Sequence, residues 1–146
     1  SIQVLESEEA VIFDGISAKS GNCGLIIGTS DVYIWASGAY YLYTNIYHLE
    51  PCQFAIFKNG NVLPASIIGS PSGSSQNSTG MFIICTEDDI KVTPTTMSPT
   101  GFACKLNILN HTSFAPFVTL SGISGSGSSV PQLTATFLVI LLGDAS

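Results

Sequence analysis

The sequence predicts an all-β domain of about eight to ten short strands, arranged as a sandwich or a jelly roll. No window repeats apolar residues at the spacing of three and four residues that an amphipathic helix needs. Short apolar runs, rich in β-branched and aromatic residues, alternate at close spacing with turns of glycine, serine and asparagine. The length of 146 residues suits one domain, residues 1–146, and we find no internal repeat or linker that would divide it.

The first strands are short and are separated by turns. We expect strands at 10–13, 24–27 and 32–35, because each is an apolar run bounded by polar or glycine-containing residues. A small-residue turn at Ser37-Gly38 then leads into a longer strand, 39–47.

A hairpin follows at Asn59-Gly60, between the expected strands 53–58 and 62–63. Both turn residues accept the positive φ that a type I′ turn demands, so this dipeptide between apolar runs is a strong hairpin signal. Pro64 marks the return strand as an edge strand, because proline has no N–H to donate.

The second half of the chain continues the same alternation. We expect strands at 81–86, 90–92, 102–109 and 133–142, an irregular apolar stretch at 114–120, an acidic turn at 87–89, and loops at 69–80, 93–101 and 121–129.

The tyrosine-rich strand has aromatic side chains on both faces. Alternation places Tyr41, Tyr43 and Tyr47 on one face, whereas Tyr40 and Leu42 belong to the other. A strand between a core and water needs only one apolar face. We therefore predict that the face with the three tyrosines is buried in a subunit interface, where tyrosine is favoured. The alternative is that a loop of the same chain covers it.

The last strand has the same character, since neither of its faces carries a charge. Its apolar run is far shorter than the roughly 20 residues of a membrane helix, so it indicates a buried strand. We assign Phe137, Val139 and Leu141 to the predicted interface.

Charged residues are scarce and mostly acidic. They make up 10% of the chain, against about 25% in typical domains, and the net charge is −6 with four lysines and no arginine. Nucleic acids and anionic membranes require clustered basic residues, so we exclude nucleic acid and expect no membrane insertion. The start of the chain lacks Met and a signal-peptide pattern, and we expect a mature product or an excised domain.

The cysteines indicate no metal site. Cys23, Cys52, Cys85 and Cys104 lack the C-x-x-C spacing that zinc sites usually have. Four cysteines allow three disulfide pairings, and the sequence leaves the choice open. Cys85 lies in an apolar run, where a buried free thiol is the alternative.

Five segments together carry a resemblance to a known family. They are Ala10-Val11-Ile12-Phe13-Asp14, Gly38-Ala39-Tyr40-Tyr41-Leu42-Tyr43, Phe57-Lys58-Asn59-Gly60 with Pro64-Ala65-Ser66, Glu87-Asp88-Asp89-Ile90, and Thr134-Ala135-Thr136-Phe137-Leu138-Val139-Ile140. Their order resembles the globular heads of complement component 1q and the tumour necrosis factor superfamily, including heads on collagen-like glycoproteins of bacterial spores and viral fibres. Glu87 stands where that family usually has glycine. The resemblance implies a jelly-roll protomer, a tight homotrimer and a collagen-like stalk.

Candidate sites for chemistry are few. We expect no catalytic residue and no cofactor, because there is no Gly-x-Ser-x-Gly elbow and the two histidines, His48 and His111, are expected at the surface or in loops. Two further candidates remain, a cation site at the acidic turn and N-glycosylation at two sequons, of which the first is expected in an accessible loop. Their residues are Glu87, Asp88 and Asp89 for the cation, and Asn77 and Asn110 for the glycans.

Two functions are compatible with these features. The first is a structural module, the trimerising head of a fibrous surface protein on a virion or spore. The second is an adhesin module that binds a host-surface receptor or a glycan through its exposed serine- and glycine-rich loops. Both imply a location outside the cell or on the surface of a particle.

Overall fold

The protein is all-β, as its sequence predicts. The computed structural model describes residues 3–15, 23–25, 27–90, 104–120 and 134–143. In these residues the regular structure comprises eleven strands and two single-turn 3-10 helices, Pro64–Ser66 and Glu87–Asp89. The strands are β1 (Gln3–Glu6), β2 (Cys23–Leu25), β3 (Val32–Ile34), β4 (Gly38–Tyr47), β5 (Cys52–Lys58), β6 (Asn61–Val62), β7 (Ile68–Ser70), β8 (Gln76–Cys85), β9 (Cys104–Asn110), β10 (Phe117–Leu120) and β11 (Ala135–Gly143).

The described strands form three antiparallel sheets. A six-stranded sheet has the order β2-β3-β9-β5-β6, and β7 also pairs with β5. A three-stranded sheet has the order β11-β4-β8, and β1 pairs with β10. Only residues 35–37 separate β3 from β4, so the chain crosses there from the six-stranded sheet to the three-stranded one.

The main core lies between these two larger sheets. Its fully or nearly buried members are Tyr40, Leu42, Ile83 and Cys85 from the three-stranded sheet and Ile34, Ile56, Cys104 and Leu106 from the six-stranded sheet. A second cluster joins β1 and β10 to the rest, around Leu5, Phe54 and Val118. Burial of each large apolar side chain contributes about 1.5–3 kcal/mol, which makes these clusters the main force that holds the sheets together.

The Asn59-Gly60 hairpin is confirmed. Asn59 and Gly60 have φ values of 50° and 84°, the positive values that a type I′ turn requires. The turn joins Lys58 of β5 directly to Asn61 of β6.

The N-terminal segment differs from the expected strand at 10–13. There Ala10 and Phe13 form only isolated bridges, and the first strand is β1. The Gln3 side chain explains the difference, because its amide accepts a hydrogen bond from the Ile12 N–H at 2.9 Å and donates one to the Ile12 carbonyl at 2.7 Å. The backbone of Ile12 is thus satisfied by a side chain rather than by a strand.

Two other segments are more regular than expected. The polar segment 69–80 includes the end of β7 and the first half of β8, and 114–120 includes the regular strand β10. The predictions for 93–101 and 121–129, and most of 90–92, lie outside the described residues. In the part of the chain that is described, no helix is long and apolar enough to span a membrane.

Candidate functional site

The strand β4 separates a core face from an outward face. Tyr40 and Leu42 are fully buried in the core, whereas Tyr41, Tyr43 and Tyr47 lie on the opposite side and are partly exposed. Since hydrogen-bonded neighbours in antiparallel strands share a face, the register of β4 fixes which residues of β8 and β11 lie beside the tyrosines.

On β11 the register places different residues beside the tyrosines from those predicted. Tyr43 pairs with Leu138 and Tyr41 with Ile140, so Leu138 and Ile140 lie on the outward face. The three residues assigned to the interface from the sequence alternate with these two along β11, so they lie on its other face and pack against the core clusters. They are Phe137, Val139 and Leu141.

This placement corrects that assignment. Val139 lies opposite the buried Leu42, and Leu141 lies opposite the buried Tyr40. An apolar strand with no charge on either face gives no sequence signal for its parity, that is, for which alternate set of its residues faces the core. Only the pairing with the neighbouring strand decides it.

On the other side of β4, the strand β8 adds two more exposed apolar side chains. Phe82 pairs with Tyr41, and their ring centroids lie 5.1 Å apart at an interplanar angle of 56°. Ile84, two residues further along β8, pairs with Ala39. These residues were missing from the predicted interface, although the unbroken apolar run of β8 already indicated that both of its faces are apolar.

We call the outward surface of this sheet the outer face. Its members are Ala39, Tyr41, Tyr43, Asn45 and Tyr47 of β4, Gln76, Ser78, Gly80, Phe82 and Ile84 of β8, and Thr136, Leu138, Ile140 and Leu142 of β11. None of these side chains is charged. The large aliphatic and phenyl side chains among them are exposed: Phe82 by 72%, Ile84 by 57%, Leu142 by 54%, Leu138 by 43% and Ile140 by 42%.

One end of the outer face is polar. The Asn45 side-chain oxygen accepts hydrogen bonds from Gln76 Nε2 and Ser78 Oγ, both at 2.6 Å. The outer face therefore has an apolar part with the Tyr41 and Phe82 rings and a neutral hydrogen-bonding part beside it.

The acidic turn serves the fold. The Asp89 carboxylate accepts hydrogen bonds from the Thr86 N–H at 2.9 Å and the Thr86 hydroxyl at 3.1 Å, and it lies 3.3 Å from Lys58 Nζ. Burial alone would raise the pKa of Asp89, but these contacts outweigh it and lower the pKa. In the described residues no group of three His, Cys, Asp or Glu side chains could hold a metal ion, and that includes the candidate trio with Glu87 and Asp88.

Both sequon asparagines are buried, which corrects the accessible position expected for Asn77. Asn77 lies within β8, is 1% exposed, and donates from its amide nitrogen to the Ile68 carbonyl at 2.8 Å and to Ser70 Oγ at 2.9 Å. Asn110 is fully buried and donates to the carbonyls of Leu5 and Glu6, each at 3.1 Å. In the folded chain neither amide nitrogen is presented for glycan transfer.

The two histidines occupy different environments. His48, expected at the surface or in a loop, is fully buried with its Nδ1 2.7 Å from the Glu50 carbonyl, while its Nε2 has no hydrogen-bond partner among the described residues. His111 is partly exposed and lies 2.7 Å from the Glu8 carboxylate. Among the described residues, neither imidazole ring has a hydrogen bond to a serine or cysteine side chain. The contacts with Glu50 and Glu8 therefore serve the fold.

An open, uncharged groove lies next to the polar end of the outer face. It is lined by Ile68, Ser70, Ser74, Gln76 and Ser78, among others. Hydroxyl and amide groups of this kind form hydrogen bonds with neutral polar ligands.

Comparison with known proteins adds no family to these observations. A scan against protein-family models found no match, and a search of the curated proteins found no relative of this chain.

Proposed function

We propose that this chain is the non-enzymatic, self-associating head of a collagen-like fibrous surface protein, and that its jelly-roll protomers form a homotrimer. The outer face is the observation that carries this proposal. It is broad, uncharged and rich in exposed apolar side chains, and monomeric soluble proteins rarely leave such a surface in water.

The magnitudes favour association through this face. Its five exposed aliphatic and phenyl side chains are on average about half exposed. Their burial would contribute about 4–8 kcal/mol, against a cost of roughly 4–15 kcal/mol for bringing chains together. Burial of the Tyr41 and Tyr43 rings and hydrogen bonds at the polar end would supply the rest of the free energy that association needs.

Threefold symmetry is supported by the resemblance to complement component 1q and tumour necrosis factor heads and by the needs of a stalk. Three collagen-like chains must begin in register before their triple helix can form, and a trimeric head brings them together. The proposed location is the outside of a cell or of a particle such as a virion or spore, where a head would serve assembly and attachment.

Light scattering coupled to size exclusion at micromolar concentration tests the proposal. We expect a mass three times the 15.3 kDa of the chain. Phe82→Lys places a charge on the outer face and should give folded monomers. Val4→Lys is the matched control, because Val4 is 55% exposed on β1, which belongs to a different sheet, and it should leave the trimer intact. A monomeric wild-type chain would overturn the proposal.

The second candidate function is an adhesin module for glycans or a host-surface receptor, and the neutral groove that Gln76 helps to line favours it. Sugar hydroxyls match the hydroxyl and amide groups of such a groove. A glycan array with the wild-type chain and a Gln76→Ala variant separates the alternatives, because groove binding predicts signals that the variant loses. An array without signals would count against glycan binding, and the structural role would then be the candidate that remains.

A further inference from the structure

Two of the four cysteines come together in the core from opposite sheets. Cys85 is the last residue of β8 in the three-stranded sheet, and Cys104 is the first residue of β9 in the six-stranded sheet. Both are fully buried members of the same core cluster, and each thiol shifts the pKa of the other.

The strand register explains why these ends meet. Cys104 pairs with Ile34 of β3, and Cys85 pairs with Gly38 of β4. Ile34 and Gly38 are four residues apart along the chain, across the short crossover between the sheets. Four extended residues span roughly 13 Å, slightly more than the roughly 10 Å between packed sheets, so the crossover holds the two cysteines at the same corner of the sandwich.

We propose that Cys85 and Cys104 form a disulfide that links the two sheets when the protein folds under oxidising conditions. This inference concerns the protomer alone and does not depend on the proposed homotrimer. In the described structure all four cysteines carry free thiols, so the proposal adds one covalent bond to the fold.

The other two cysteines are poorly placed to compete. Cys23 and Cys104 both pair with Ile34, on opposite sides of β3, so two strand spacings, roughly 10 Å, separate them. A disulfide requires Cα atoms closer than about 7 Å. Cys52 belongs to the second core cluster, and burial raises the pKa of its thiol to about 12.

The chemistry is an exchange with a small disulfide such as oxidised glutathione. The Cys85 thiolate attacks one sulfur of the oxidant and releases one thiol, and the Cys104 thiolate then displaces the second thiol from the mixed disulfide. The two protons lost by the cysteines end on the two released thiols. The Cys104 thiol lowers the pKa of Cys85, and the Cys85 thiol raises the pKa of Cys104, which favours Cys85 as the first nucleophile.

Both thiols are shielded from solvent in the folded chain. Exchange therefore takes place during folding or after local opening, because the oxidant must reach the sulfur of Cys85. Once formed, the bond closes a ring of about 20 residues, and chain-entropy arguments predict a clear gain in stability.

Peptide mapping after refolding in a glutathione redox buffer tests the pairing. The free thiols are blocked by alkylation and the chain is cut after lysine. The four lysines, Lys19, Lys58, Lys91 and Lys105, then place Cys85 in peptide 59–91, Cys104 in peptide 92–105, and both remaining cysteines in peptide 20–58. We expect peptides 59–91 and 92–105 to elute as one disulfide-linked species, which reduction separates into the two peptides.

Either of two peptide-mapping results would overturn the proposal: four alkylated cysteines after refolding, or linkage of either peptide to 20–58. A urea titration provides the second measurement, in which the oxidised wild type should have a midpoint roughly 1–2 M above the reduced form. Cys85→Ala and Cys104→Ala should each abolish that difference, and Cys23→Ala should retain it. Equal midpoints for the oxidised and reduced wild type would also count against the bond.

Discussion

The phenol ring of Tyr41 lies directly over Gly80 on the neighbouring strand. A Cβ atom built on Gly80 would come within 3.0 Å of Tyr41 Cζ and closer still to the hydroxyl oxygen. Tyr41 also contacts the Phe82 ring, so it covers the one position on β8 that lacks a side chain. The glycine thus sets the position of a ring at the centre of the outer face.

Gly80→Ala should displace this ring. The added methyl group conflicts with Tyr41, and we expect a loss of about 1 kcal/mol in the free energy of unfolding, because the ring loses its packing on β8. In a Tyr41→Ala background the same change should be neutral or slightly stabilising, since alanine is favoured over glycine in a strand. Urea unfolding of the four variants in a double-mutant cycle measures the coupling.

Gly69→Ala is the control for that cycle. Gly69 is also a strand glycine, but a Cβ there would meet Gln53 Oε1 at 3.7 Å, an ordinary contact. This variant should not destabilise the protein in either background. Equal effects at Gly69 and Gly80 would show that backbone freedom, and not the Tyr41 ring, decides the outcome.

The parity of β11 leads to opposite outcomes for neighbouring residues. Ile140→Asp places a charge on the outer face, so we expect a folded chain that no longer associates. Val139→Asp buries a carboxylate against Leu42 and the main core, with an expected loss of several kcal/mol. Circular dichroism and light scattering separate the two effects. A folded, monomeric Val139→Asp variant together with an unfolded Ile140→Asp variant would reverse the assigned parity.

Sequence patterns predicted the β class, the Asn59-Gly60 hairpin and the two faces of β4, because each depends on local periodicity or on turn chemistry. The parity of β11 could not be predicted, since a strand that is apolar on both faces carries no periodic signal. The same limit applies to β8, where Asn77 and Gln76 resemble a loop in composition but have partners in β4 and β7. Long-range pairing, which a local pattern does not contain, decides these positions.

Asp89 should make stability depend on pH in the acid range. Its pKa is lowered from the ordinary 3.8 in the folded chain, so the unfolded chain binds a proton there at a higher pH than the folded chain does. The contribution of the ionised Asp89 carboxylate to folding stability is therefore fully present above pH 3.8 and is lost as the pH falls through the pKa of the folded chain. Asp89→Asn keeps an acceptor for Thr86 but removes the charge opposite Lys58, at a cost of about 0.5–1 kcal/mol near neutral pH.

Urea unfolding at pH 7 and at pH 3 checks this dependence. The difference in stability between wild type and Asp89→Asn should shrink at the lower pH. Asp88→Asn is the matched control, because Asp88 lies exposed in the same turn, and its effect should stay small at both pH values. A constant difference for Asp89→Asn would contradict a role for its charge.

Asn77 should behave as a structural residue of the fold. Asn77→Ala would leave the Ile68 carbonyl without its amide donor in a buried setting and remove a partner of Ser70, and we expect a loss of about 1–3 kcal/mol. Asn61→Ala, at an exposed position of β6 in the other sheet, should cost under about 0.5 kcal/mol. Urea midpoints compare the two variants directly. A similar small effect at both positions would mean that the Asn77 amide is replaceable by water, which its 1% exposure argues against.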